Sequence, residues 1–160
     1  MSATRGTRWL DEVEMHAWRS LLRAHARLLA RLDAELQASQ GMSVTDYEVL
    51  VQLSEEEDGR MRMSELADRL LLSPSGLTRR LDGLVAAGLV ERHRCPTDRR
   101  GAFAVLTVAG RARLQAAAPD HVEQVRRHFV DRLSRKQLEM LADALDSVTL
   151  DSATTGPSCP

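Results

Sequence analysis

The chain has 160 residues, 43% of them hydrophobic but only 3% aromatic, with a formal net charge of -1. That length suits one domain, or one domain with dimerisation arms, around an aliphatic core. No apolar run approaches the roughly 18 residues of a bilayer span, the polar start Met1 to Arg8 lacks the apolar core of a secretory signal, and Cys95 and Cys159 are too few for a disulfide scaffold. The expectation is a cytoplasmic protein without a membrane partner.

The near-neutral total hides an uneven distribution. Between Arg60 and Arg113 eleven arginines face five acidic residues, which leaves +6 on that stretch and -7 on the remainder. A basic middle between acidic ends fits one surface facing phosphate, although a solvated charged face would give the same count.

In chain order, residues 1–10 read as a flexible arm. From Asp11 to Ala38, Val13, Ala17, Leu21, Leu22, Leu28, Leu29, Leu32 and Leu36 recur at helical spacing without Pro or Gly, and Gly41 closes the helix. Residues 11–42 thus form one helix far longer than a small domain needs for its own core. Thr45 with Glu48 forms a capping-box pattern that opens a second helix through Val49, Leu50, Val51 and Leu53, ending at Asp58-Gly59. A third helix occupies 63–72, with Leu66, Ala67, Leu70 and Leu71 on one face. Ser73 followed by Pro74 is a strong restart, a capping hydroxyl before Pro at the first helical position. The fourth helix, 74–87, runs through Leu77, Leu81, Leu84 and Val85 to Gly88. Two short helices joined by a tight turn outline a helix-turn-helix.

Within 89–107, Leu89 to His93 and Phe103 to Leu106 read as short strands around the turn-rich Pro96 to Gly101, a β-hairpin. Helical spacing returns from Val108 through Phe129 and Leu133, where Pro119 is expected to kink or divide the helix. Ser134 caps a last amphipathic helix through Leu138, Leu141, Leu145 and Val148. Residues 151–160 read as a disordered tail.

Three stretches carry a family resemblance: Met63 to Leu70; Ser73 to Asp82 running into Ala87 to Arg92; and Asp98-Arg99-Arg100-Gly101 followed by Leu106-Thr107-Val108-Ala109-Gly110. Together they resemble the MarR family of transcription regulators over about 140 residues. The resemblance implies a mainly α fold with a small β-hairpin wing: a winged helix-turn-helix at 43–107, between an N-terminal dimerisation helix (11–42) and C-terminal ones (108–150). It implies double-stranded DNA as partner, repression of an operator, and no enzymatic activity. Gly83 departs from the pattern, since a long basic residue is common there; close packing or a sparser set of phosphate contacts would each account for it.

The physical reading agrees. A recognition helix of about 13 residues is roughly 20 Å long and fits a major groove about 12 Å wide. Its small first turn, Ser73, Pro74, Ser75 and Gly76, lets backbone approach DNA, and its N-terminus favours phosphate. Thr78 and Arg79 follow, Arg79 suited to a guanine edge or to a phosphate. Arg80 points to another face and suits phosphate or the core. At the wing tip Arg99 and Arg100 suit a narrow minor groove, with Asp98 orienting Arg100. Arg111 and Arg113 serve phosphate or are surface charges.

The terminal helices cannot bury their apolar faces alone, so a two-fold homodimer on a pseudo-palindromic site is expected. MarR-like proteins often bind small aromatic or phenolic anions between the dimer helices and the helix-turn-helix. Trp18, Arg19, Leu22, His25, Tyr47, Glu48 and Arg80 belong to that region here, although Trp18 and Tyr47 also suit plain packing. No cofactor or metal is expected. Cys95 reads as an inert small residue rather than a redox switch, and His93 with Cys95 lacks further ligands. An enzyme would need a Gly-rich phosphate loop or a nucleophile with an ordered base, and neither occurs. An interaction module that kept the fold without binding DNA would have no need of Thr78, Arg79, Asp98 and Arg100.

Overall fold

The computed structural model describes residues 7–94 and 101–149. Helix α1 spans Glu12–Gln40. Asp11 caps it by accepting from the Glu14 amide at 2.9 Å, and the Asp11 amide in turn donates to the Glu14 carboxylate. Gly41 ends it in the left-handed region, φ 61°, where the absence of Cβ removes the steric cost.

Helix α2, Val44–Glu55, starts earlier than the capping-box pattern predicts. Ser43, not Thr45, is the cap, accepting from the Asp46 amide at 3.1 Å. Asp33 on α1 takes the Val44 amide at 2.9 Å. Two free helix-end donors are thereby satisfied, one of them by a residue eleven positions away that local patterning cannot reveal. The helix also stops before Asp58-Gly59, because Gly59 belongs to the turn into a strand that periodicity misses.

That strand, β1 (Arg60–Arg62), precedes α3 (Met63–Arg69) and α4 (Pro74–Ala86). The third helix is three residues shorter than expected: Leu71, 91% exposed, turns left-handed at φ 53° between α3 and α4. Strands β2 (Val90–Arg94) and β3 (Ala102–Leu106) follow. The sheet order is β1-β3-β2, antiparallel throughout, with Arg62 opposite Phe103 and Arg92 opposite Ala104. Helix α5, Val108–His128, passes through Pro119 undivided. Cross-links to α1 flank that proline: Arg113 donates to Gln40, and Gln40 donates to Asp120. A 3-10 turn, Val130–Arg132, leads to α6, Arg135–Thr149.

Leu36 of α1, Val49, Leu50 and Leu53 of α2, Leu66 of α3, Leu77 and Leu81 of α4 and Val90 of β2 are fully buried in one core. This core seats the helix-turn-helix against the C-terminal end of α1 and the start of α5. The remaining length of α1 and most of α6 leave apolar side chains exposed, among them Val13, Trp18, Leu21, Leu22, Met140 and Val148.

Candidate nucleic-acid interface

Helix α4 begins where the sequence puts it. Ser73 accepts from the Gly76 amide at 3.1 Å, with Pro74 at the first helical position. A Cβ on Gly76 would lie 3.0 Å from the Ser73 hydroxyl, so glycine makes room for the cap. Leu77, Leu81 and Leu84 anchor one face in the core. Ser73, Ser75, Thr78 and Arg79 are exposed on the other. Thr78 donates its hydroxyl to the Pro74 carbonyl at 2.8 Å, which leaves lone pairs for an outside donor. The Arg79 guanidinium has no ion pair or hydrogen bond to another described residue. A fixed helix start, small residues and a guanidinium that no described residue engages are therefore presented together to solvent. Such a surface can take phosphate at its N-terminus and a base edge through Arg79.

Arg80 is employed elsewhere. Its Nη1 donates to the Ser43 hydroxyl at 3.3 Å and lies 3.8 Å from Asp46, which ties α4 to the start of α2. Beside it runs a shallow groove of about 330 Å³, lined in part by Met42, Asp46, Gly83, Leu89 and Arg113. A Cβ at Gly83 would meet nothing within 4 Å, so close packing does not account for glycine at this position.

Asp98, Arg99 and Arg100 at the wing tip, and Cys95, lie outside the described residues. The stem of the wing is described, and it carries residues that sequence reasoning did not single out. Arg60 and Arg62 lie over the Phe103 ring, 4.9 and 5.5 Å from its centroid. Arg92 reaches from β2 to α4, where Nη1 donates to Asp82 and Nη2 to the Thr78 carbonyl, both at 2.7 Å. Only the charge count hinted at these arginines, because their partners lie 10 and 14 residues away or across the sheet.

The Leu-Thr-x-x-Gly stretch has a clear structural basis. Thr107 caps α5 by accepting from the Gly110 amide at 2.9 Å, and its hydroxyl lies 2.8 Å from the Gly88 carbonyl and 3.0 Å from that of Leu89. A Cβ on Gly110 would stand 2.1 Å from the Leu89 carbonyl oxygen. The turn between α4 and β2 thus abuts the first turn of α5 with no room for a side chain.

The candidate ligand residues divide into two groups within one chain. Tyr47 is buried, and burial, then the nearby Glu48, pushes its phenol up. Burial and then Glu55 likewise raise the Glu48 carboxyl above its ordinary range. Trp18, Arg19, Leu22 and His25 are exposed on the outer part of α1. At 1.5 Å per residue, His25 and Trp18 stand about 12 and about 22 Å along the helix from Asp33, where α1 meets α2. A single chain does not bring the two groups together. Among the described residues no cluster of three or more His, Cys, Asp or Glu could hold a metal, and no helix is long and apolar enough to cross a membrane.

Comparison with known proteins places this geometry. The MarR family matches residues 40–101. The regulator MhqR of Bacillus subtilis (strain 168) is 30% identical over 112 residues, covering 70% of this chain and 75% of that protein. The repressor YetL of the same organism is 29% identical over 116 residues, 71% of this chain and 70% of that protein. Among solved structures, AbsC, a MarR family transcriptional regulator from Streptomyces coelicolor, shares 43% identity at a TM-score of 0.83, covering 91% and 97% of the two chains. Another MarR family regulator from that organism, in complex with DNA, shares 36% identity at a TM-score of 0.87 over 95% of each chain.

Proposed function

The chain belongs to the MarR family of DNA-binding transcription regulators, and from that premise we propose that it is a cytoplasmic repressor that binds a pseudo-palindromic operator as a homodimer. The observation that carries this reading is the exposed start of α4. Ser73, Ser75 and Thr78 are exposed along with an Arg79 that no described residue engages, on a helix whose opposite face is locked in the core. Two such helices related by a two-fold axis would enter successive major grooves of one DNA face. The exposed apolar residues of α1 and α6 supply the surface for that pairing. Repression follows the named role of YetL.

In the same reading a small aromatic or phenolic anion relieves repression. It would bind where the partner brings its outer α1, with Trp18, Arg19, Leu22 and His25, towards Tyr47, Glu48 and Arg80. Such coupling requires that the ligand bind the DNA-competent and DNA-incompetent arrangements unequally.

The test is fluorescence-anisotropy binding to DNA upstream of the protein's own gene, at several salt concentrations, with Arg79→Ala and Arg100→Ala beside wild type. Tight binding to one site should weaken in both variants, and Arg79→Ala should lose discrimination against scrambled DNA. Equal binding to operator and scrambled DNA at low salt would overturn the reading. Addition of phenolic acids to the same assay tests the effector.

A further inference from the structure

Among the described residues, one side chain bridges the recognition helix and the wing stem through directed hydrogen bonds. Leu81 and Leu84 of α4 and Val90 of β2 pack in the core, but apolar contact is non-directional and fixes distance better than rotation. Arg92 adds direction. Its planar fork spends one Nη on the Asp82 carboxylate and the other on the Thr78 backbone carbonyl, each at 2.7 Å. Those two acceptors are one helical turn apart on α4, and the donor sits in the middle of β2, opposite Ala104 of β3. Thr78 and Arg79 lie on the turn so gripped. The Arg92 side chain is 32% exposed and its charge is met by Asp82, so it is spent inside the protein.

We propose that Arg92 is a positioning residue for DNA binding, one that sets the angle between the recognition helix and the wing without itself touching DNA. The proposal rests on the DNA-binding reading above and adds a mechanical element to it. In that reading helix and hairpin meet different grooves, so both contacts form together only when the angle between them is held before DNA arrives. The held angle removes an ordering cost that would otherwise fall on binding. Lysine cannot replace the fork, because a single ammonium cannot present two parallel donors to a carboxylate and a carbonyl.

The experiment measures operator affinity against salt concentration for wild type, Arg92→Lys, Asp82→Asn and the double variant, with thermal melting as a check on folding. Both single variants conserve size, so the core remains filled. Each should weaken operator binding about tenfold, and the double variant should be little worse than either single one. The slope of log affinity against log salt should stay at the wild-type value, whereas loss of a phosphate contact would lower it by about 1. Asp82→Asn is the decisive arm. Removing a negative charge near DNA would, by charge alone, tighten binding; a lost positioning contact weakens it. Tighter or unchanged binding by Asp82→Asn, or a reduced salt slope in Arg92→Lys, overturns the proposal while wild-type binding stands. Absence of operator binding by wild type would instead overturn the function on which it rests, and the proposal with it.

Discussion

The imidazole of His121 lies against the phenol ring of Tyr47, centroids 4.4 Å apart and planes inclined by 44°. This contact joins α5 to α2 inside the molecule, and the Nδ1 atom of His121 has no hydrogen-bond partner among the described residues. Burial holds the imidazole below its ordinary value of 6.5. The folded chain therefore disfavours the proton that the unfolded chain accepts. The associated stability is complete above pH 6.5 and is lost as the pH falls from there through the folded value. Each unit of depression is worth about 1.4 kcal/mol. Thermal melts at about pH 7.5 and about pH 5.5 should show wild type losing a few degrees more than His121→Phe, which keeps a ring on Tyr47 but cannot titrate. His128, paired with Glu35 at 2.7 Å, is present in both proteins and cancels from the comparison. Equal losses in the two proteins would contradict the assignment.

Two glycines should respond to alanine in opposite directions. At Gly110 the new methyl would meet the Leu89 carbonyl at 2.1 Å, so either the α5 start or the sheet end must move. Overpacking against backbone of this kind costs about 2–3 kcal/mol or more. At Gly83 the methyl meets nothing within 4 Å, and relief of the backbone-entropy penalty in a helix interior should stabilise by about 0.5–1 kcal/mol. Urea denaturation of both variants checks the pair, and a destabilised Gly83→Ala would be the surprising result.

Adjacent arginines on α4 should differ in their effect on DNA binding. Arg80 is held by Ser43 and lies near Asp46, so Arg80→Ala should change operator affinity by less than about threefold. Arg79→Ala should lower it by about tenfold or more, the value of a bidentate contact to guanine. The same titrations decide between guanine and phosphate for Arg79. Loss confined to the operator marks a base contact, while an equal loss on scrambled DNA with a smaller salt slope marks a phosphate.

Trp18 offers an optical test of the homodimer. It is 51% exposed in one chain, and a partner helix would cover it. In a Trp9→Phe background, dilution should shift the emission to the red as dimers separate, in step with the mass seen by light scattering. Emission that stays constant while the mass halves would place Trp18 outside the interface.

The elements that could be read from sequence were those whose cause is local. Ser73 followed by Pro74 fixes the start of α4, and the long aliphatic repeat fixes α1. What escaped depends on distant partners. Arg60–Arg62 shows no strand alternation, and its pairing with β3 lies more than 40 residues away. The α2 cap was misplaced because Ser43 and Thr45 both precede an acidic residue by three positions, and Asp33 favours the earlier one. Pro119 reads as a helix breaker, yet it follows Ala116, Ala117 and Ala118, strong helix formers, in a helix bound to α1 on both sides of the proline. Of the proposed DNA-facing surface, the exposed start of α4 with Ser73, Ser75, Gly76, Thr78 and Arg79 is legible as a motif. The Arg92 fork was not, since no short-range pattern encodes it.

Helix α6 has no fully buried side chain along its described length. A helix of 15 residues is marginal in water when nothing covers it. If a second copy provides that cover, part of the folding free energy belongs to the pair, and the unfolding midpoint must rise with protein concentration. The protein would then carry a census of itself. Scarce copies would be loosely folded and open to proteases, abundant copies tight and long-lived, so that the shut-off of a target gene would sharpen with the number of molecules present.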